Sequence, residues 1–317
     1  MYRWQWIPLA CIAAAFIATI AVLALWRRRG RRDDPRHPLQ RDLLRNPGES
    51  KRDLVAAASW DAAEYAALAL FALPLAFCFY PLKAVYEGAL PEAETLAAFL
   101  GAAALMETLI LWRLWRVLAR ARRLALGYEA EVAAGQELDA LRHLGYRVFH
   151  DVPAEGFESN IDHVLVGPAG VFAVQAMGRT TPRTNGSDEP WEVTYDGERL
   201  RFPGWEETLP LGQAMAQADW LCGWLANAIR EPVGVRPILV LPGWSVKRTA
   251  VSGIPVLAAR RIHAYFARMH ALPEMSDSMI ERISEQLDSY CRVVALVPPA
   301  PPPPQEQREE DAIPTLH

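Results

Sequence analysis

Residues 160–177 read NIDHVLVGPAGVFAVQAM. Two apolar runs, 161–166 and 171–177, flank Gly-Pro-Ala-Gly, the composition of a β-hairpin. Pro168 suits the second position of a type I turn and Gly170 the fourth. If the loop is residues 167–170, Val166 pairs with Val171. Counting outward, Asp162 then lies opposite Gln175, with Cβ atoms about 5 Å apart on one face. Met177 and Arg179 follow on that face by the two-residue period. A three-residue loop with a bulge would shift the register and turn Gln175 away. Periodicity alone leaves both registers open.

The same pattern extends on either side. Residues 129–144 form an amphipathic helix by spacing, with Val132, Leu138, Leu141 and Leu144 on one side and Gly145 as its stop. Residues 146–152 read as a strand. Residues 191–195 and 200–202 flank Asp196-Gly197, a hairpin signal. Residues 211–230 read as a long helix whose stripe is Leu211, Met215, Ala218, Leu225 and Ile229. Residues 237–241 are a short apolar strand, 276–290 a last helix, and 298–304 open a Pro-rich tail read as disordered. The order predicts an α/β domain over 124–297, a central mixed sheet flanked by helices.

Upstream the composition changes. Residues 7–26 run for about 20 positions without a charge, the length that crosses a hydrocarbon core of roughly 30 Å. Arg27, Arg28, Arg29, Arg31 and Arg32 follow. A cleavable signal would carry its charges before the apolar run. Residues 65–82 and 96–112 are two further candidate spans. Glu107 in the third lies near Arg113 and Arg116 and reads as a paired or snorkelling carboxylate. The expected organisation is a transmembrane helix over 1–26, a basic loop over 27–61, a transmembrane hairpin over 62–116, the α/β domain and the tail over 298–317. The arginine bias puts loop 27–61 and everything after about residue 113 on the cytoplasmic side of a bacterial inner membrane, as a multi-pass protein. The lipid bilayer is therefore the first expected partner.

The formal net charge of -4 hides an asymmetry. Residues 124–297 hold 15 Lys+Arg and 22 Asp+Glu, a balance of -7, whereas the chain before them is basic. Positive charge thus sits with the apolar segments, a topological signal more than a nucleic-acid surface. The lysines are Lys51, Lys83 and Lys247 alone. Cys11, Cys78, Cys222 and Cys291 form no CxxC pair and fit a reducing compartment. His163 points away from Asp162 in a regular strand and reads as a packed, hydrogen-bonded histidine. His150 offers no ligand spacing. Trp205, Trp220, Trp224 and Trp244 read as core before base-stacking platforms.

The segments GYEAEVAAGQELDAL (127–141), YRVFHDVP (146–153), NIDHVLVGPAGVFAV (160–174), YDGERLRFPGW (195–205) and VRPILVLPGW (235–244) together resemble the NERD, or nuclease-related, domain. That domain is similar to the PD-(D/E)XK nuclease fold. The resemblance implies a helix bearing Glu, Asp on the second strand and Glu-x-Lys on the third, and it favours the register that faces Asp162 with Gln175. In such a site carboxylates hold Mg²⁺ beside the scissile phosphate, and a lysine positions or activates water.

Carried over, Glu131 matches the helix carboxylate and Asp162 the strand-two Asp. Gln175 stands at the Glu position and Met177 at the Lys position. An amide oxygen still ligates Mg²⁺ but removes a negative charge, and a thioether neither donates a hydrogen bond nor carries charge. Arg179 could steady a phosphate on the same face, though its pKa forbids a base role. Gln213 and Gln217 face either the pocket or solvent.

The expected metal set is Asp162, Glu131 and Gln175, with Arg179 beside them, and Mg²⁺ is implied only if the site is active. The reading that follows is a membrane-held module with a degenerate site, binding nucleic acid or an unidentified protein. The alternative is an active Mg²⁺-dependent nuclease. Arg142, Arg147, Arg179, Arg183 and Arg201 are the arginines that could form a local basic surface.

Overall fold

The computed structural model describes residues 43–87, 93–182, 191–270 and 275–292, together with Ala14, Ala18, Ala21 and Val22. The first expected span, most of the 27–61 loop before residue 43, and the Pro-rich tail lie outside the described residues.

Two long helices come first. α1 spans Glu49–Glu87 and α2 spans Ala93–Asp139. At about 1.5 Å per residue they reach roughly 58 and 70 Å, well beyond a bilayer's apolar thickness. Both are long and apolar enough to cross a membrane, and only 11% and 6% of their most apolar windows are buried. Their apolar stretches therefore lie outside the core of the α/β domain, which takes in only the end of α2. They pack against each other, and the start of α1 lies beside the last turns of α2, where Gly48 meets Tyr128 and Gly127 faces Lys51. The helix expected to begin near residue 129 is the end of α2. A short 3-10 turn, Ala140–Leu144, follows it, and Gly145 at φ 80° stops it in the left-handed region that glycine occupies without strain.

The main sheet has the order β1-β2-β3-β7-β9. β1 (Arg147–Val152), β2 (Ile161–Gly167) and β3 (Gly170–Ala176) form an antiparallel meander. β7 (Val235–Leu241) adds parallel to β3, and β9 (Val256–Ala258) parallel to β7. The pairing Val166↔Val171 settles the hairpin register. Gly167 also pairs with Gly170, so Pro168 and Ala169 alone make the turn. Gly170 takes φ 115° there.

Alternation explains the layers. Val164, Val166, Val171 and Ala173 face α3 (Leu209–Ile229) and α5 (Asp277–Tyr290). Val148, Leu165, Phe172 and Val174 face the end of α2 and α4 (Ile262–His270). The buried stripe of α3 is Leu211, Ala214, Ala218, Leu221, Leu225 and Ile229, at three- and four-residue steps. Met215, expected in that stripe, is exposed. Ser276 caps α5, its side chain accepting from the Met279 N–H.

The expected 191–202 hairpin exists as β4 (Glu192–Tyr195) and β5 (Leu200–Phe202). It belongs to a second sheet, ordered β6-β5-β4-β8, with β6 (Trp205–Glu207) and β8 (Ser245–Arg248). This small sheet closes its own core over Leu239, Leu241 and Trp244.

Candidate active site

Asp162 sits near the start of β2, buried at 5% exposure. Its Oδ2 accepts the Ala176 N–H at 2.7 Å, which ties it to the strand across the hairpin. The ladder ends at His163↔Val174, one step before Asp162 and Gln175. Gln175 Oε1 is buried and has no hydrogen-bond partner. Glu131, on α2 and only 1% exposed, lies beside Asp162, whose charge acts on its carboxyl. The helix and the second strand thus bring together two of the oxygen-bearing groups that the sequence suggested, and Gln175 stands on the next strand.

The cation in this site comes from outside the α/β domain. Lys51, in the first turn of α1, places its Nζ against Glu131 Oε1 and 3.3 Å from Asp162 Oδ1. Met177 does not contribute. β3 ends at Ala176, and the Met177 side chain packs in the core of the small sheet while its N–H donates to Val240 O at 2.9 Å. Lys247 is elsewhere, exposed beside Glu192. Sequence reasoning passed over Lys51 because nothing local links it to Asp162, 111 residues away. The one available signal was scarcity, three lysines in the whole chain.

Lys51 and Glu131 lie outside the apolar stretches at residues 65–82 and 96–112, and burial governs both. Burial works to lower the Lys51 pKa, but the Asp162 and Glu131 carboxylates more than offset it, so the ammonium is stabilised. Burial, with Asp162 beside it, pushes the Glu131 carboxyl up to about 9. Glu131 therefore holds a proton more readily than an ordinary carboxylate, and Lys51 lies against both Glu131 and Asp162.

The surrounding residues hold this geometry. Gln217, buried, donates to Asn160 O at 3.3 Å, and Gln213 to Ser159 Oγ at 3.2 Å. Both fix the loop that feeds Asp162 and neither serves as a ligand. His150 and His163 face each other across β1 and β2 with Nδ1 atoms 2.9 Å apart. Full burial depresses His163 to about 3 and keeps it neutral. Arg179 extends toward the small sheet, where Glu207 grips it at 2.8 and 2.7 Å. Arg142 pairs with Asp139, and Arg201 with Asp196 and Glu206. These pairings neutralise Arg142, Arg179 and Arg201 of the expected arginine surface, Arg147 is exposed at the start of β1, and Arg183 lies outside the described residues.

Among the described residues no group of three or more His, Cys, Asp or Glu could hold a metal ion. The oxygen set here is two carboxylates and an amide whose acceptor is unused. That chemistry fits a hard divalent cation such as Mg²⁺ or Mn²⁺, completed by water, and not a soft one.

A meander with a helix carboxylate and a strand-two aspartate is the arrangement that the resemblance to the nuclease-related domain implied, here with the lysine on another element. Residues 126–242 match the family model of the nuclease-related domain, NERD, so the chain carries a nuclease-related domain in that stretch. No curated protein and no solved structure matches the chain.

Proposed function

We propose that this chain is a membrane-held nuclease, dependent on Mg²⁺ or Mn²⁺, that hydrolyses phosphodiester bonds in DNA or RNA at the cytoplasmic face of a bacterial inner membrane. The observation that carries the reading is Lys51, whose ammonium contacts both Glu131 and Asp162. With it, the charge lost at Met177 is supplied from another element. Asp162, Glu131 and Gln175 Oε1 would hold the cation. When bound, such a cation supplies a Lewis acid and a water of lowered pKa. Lys51 would orient that water or donate to a phosphate oxygen, and Glu131 would release its proton to solvent on binding the cation.

The membrane placement rests on the two long apolar helices and their charge pattern. On α2, Trp112 stacks under Arg113 and Arg116, and Trp115 is exposed. Aromatic and basic residues together are what a helix presents at the interface.

A second reading is a tethered binding module with a silent site. It is favoured by the same ammonium, which a cation must displace, and by Gln175, which holds one negative charge fewer than Glu. The deciding experiment incubates the full chain in detergent with single- and double-stranded DNA and RNA and Mg²⁺ or Mn²⁺. Asp162→Asn, Lys51→Met and Gln175→Glu run beside it. We expect cleavage by the parent that falls by about 100-fold or more in the first two variants, the scale of a lost general-acid or positioning group. No cleavage by the parent or by Gln175→Glu would leave the binding module standing.

A further inference from the structure

Asp151 is unusual in three ways at once. It is a non-glycine residue at φ 51°, it sits in the β1 strand, and it is 3% exposed. Its neighbours in β1 keep one register with β2, His150 with His163 and Val152 with Ile161, so Asp151 stands in step on the strand while its own backbone turns left-handed. That turn re-aims its carboxylate. Oδ2 accepts from Ser50 N at 3.1 Å, Ser50 Oγ at 2.7 Å and Arg45 Nη1 at 2.9 Å, while Oδ1 accepts from Asn160 Nδ2 at 2.9 Å. All but one of these partners belong to the segment 43–51 that leads into α1. Asn160 also donates to Ser50 Oγ at 2.8 Å.

That segment is fastened elsewhere too. Leu44 bridges to Arg292, Arg45 N donates to Cys291 O at 3.3 Å, and Pro47 lies so close to Gly135 that a Cβ there would meet it at 2.8 Å. Lys51 is the residue directly after Ser50. Placing the Ser50 backbone therefore places the Lys51 ammonium.

We propose that Asp151 is a positioning residue, a latch that seats the strap 43–51 on the nuclease-related domain and thereby delivers Lys51 to Glu131 and Asp162. The site is then completed from the long-helix hairpin, and anything that lifts the strap withdraws the lysine. The latch itself follows from the hydrogen bonds around Asp151, while its bearing on catalysis rests on the nuclease reading above.

The test reads lysine exposure, which does not depend on catalysis. The full chain in detergent is acylated with N-hydroxysuccinimidyl acetate at pH 8, and modification is followed by peptide mass spectrometry. Lys247, exposed, is the internal reference. In the parent, Lys51 should react far more slowly than Lys247.

Asp151→Asn keeps a residue that tolerates positive φ but sets an amide N–H₂ against donors. It should speed Lys51 acylation by roughly tenfold, the equivalent of one charge-assisted hydrogen bond. Ser50→Ala combined with Arg45→Gln removes bonds from the strap side and should do likewise without touching Asp151. Lys51 as reactive as Lys247 in the parent, or unchanged protection in both variants, overturns the latch. Faster acylation with cleavage unimpaired upholds the latch and overturns the nuclease role of Lys51.

Discussion

Glu131 serves two purposes that conflict. As a ligand it must ionise, yet burial and Asp162 hold its carboxyl at about 9 against an ordinary value near 4.5. Between those two values the folded chain keeps a proton that the unfolded chain has released, so stability falls as pH rises across the window. Glu131→Gln mimics the protonated form, since its amide still accepts from Lys51 and donates to Asp162. It should raise stability at pH 8 by on the order of 2 kcal/mol and flatten the slope between pH 5 and 8.5. Thermal midpoints of the full chain at those two pH values check this, and an unflattened slope would mean that Glu131 is ionised in the folded protein. The same variant should abolish cleavage, because the site loses a carboxylate. Asp162 was evident from its place in an apolar strand, whereas the facing of Gln175 depended on which of two registers the Gly-Pro-Ala-Gly turn took. Arg179 was placed on the correct strand extension, but Glu207 captures it, a partner no periodicity could name.

At the scale of elements, α2 is the scaffold. It runs unbroken from its apolar part into the site, and its last turns lie close enough to β3 that two glycines behave differently. A Cβ at Gly178 would come 2.5 Å from the Leu126 carbonyl oxygen, a backbone atom that cannot give way. Gly178→Ala should therefore destabilise by about 1–3 kcal/mol, the usual cost of overpacking. Gly127 sits inside α2, and a Cβ there meets only Lys51 Cδ at an ordinary 3.6 Å. Gly127→Ala should stabilise by about 0.5–1 kcal/mol through helix propensity. Melting of the pair separates close packing from generic glycine effects, and equal shifts of one sign would contradict the α2–β3 contact. The meander and the long α3 helix were legible because each repeats a local period. β8 and β9 were not, because strands of four and three residues carry too little alternation to stand out from loop.

For the whole molecule, the nuclease-related stretch does not contain its own lysine. A fragment beginning near residue 120 keeps Glu131, Asp162 and Gln175 but loses Lys51, Ser50 and Arg45. It also bares the face of α2 around Gly135 that Pro47 covers. We expect such a fragment to show no metal-dependent cleavage under conditions where the full chain cleaves, with Asp162 more exposed to water. A fragment as active as the full chain would show that Lys51 is dispensable.

The sequence by itself determined the α/β order, the apolar character of the two long helices and the place of Asp162 on the second strand, while it left two hairpin registers open. Those features follow from periodicities of two and 3.6 residues and from turn chemistry acting over a few positions. Only the tertiary structure decided that Lys51 enters the site, that Met177 leaves it and that Asp151 faces the strap. Those outcomes depend on how α1 packs beside the end of α2, a contact between segments about eighty residues apart that no local pattern encodes.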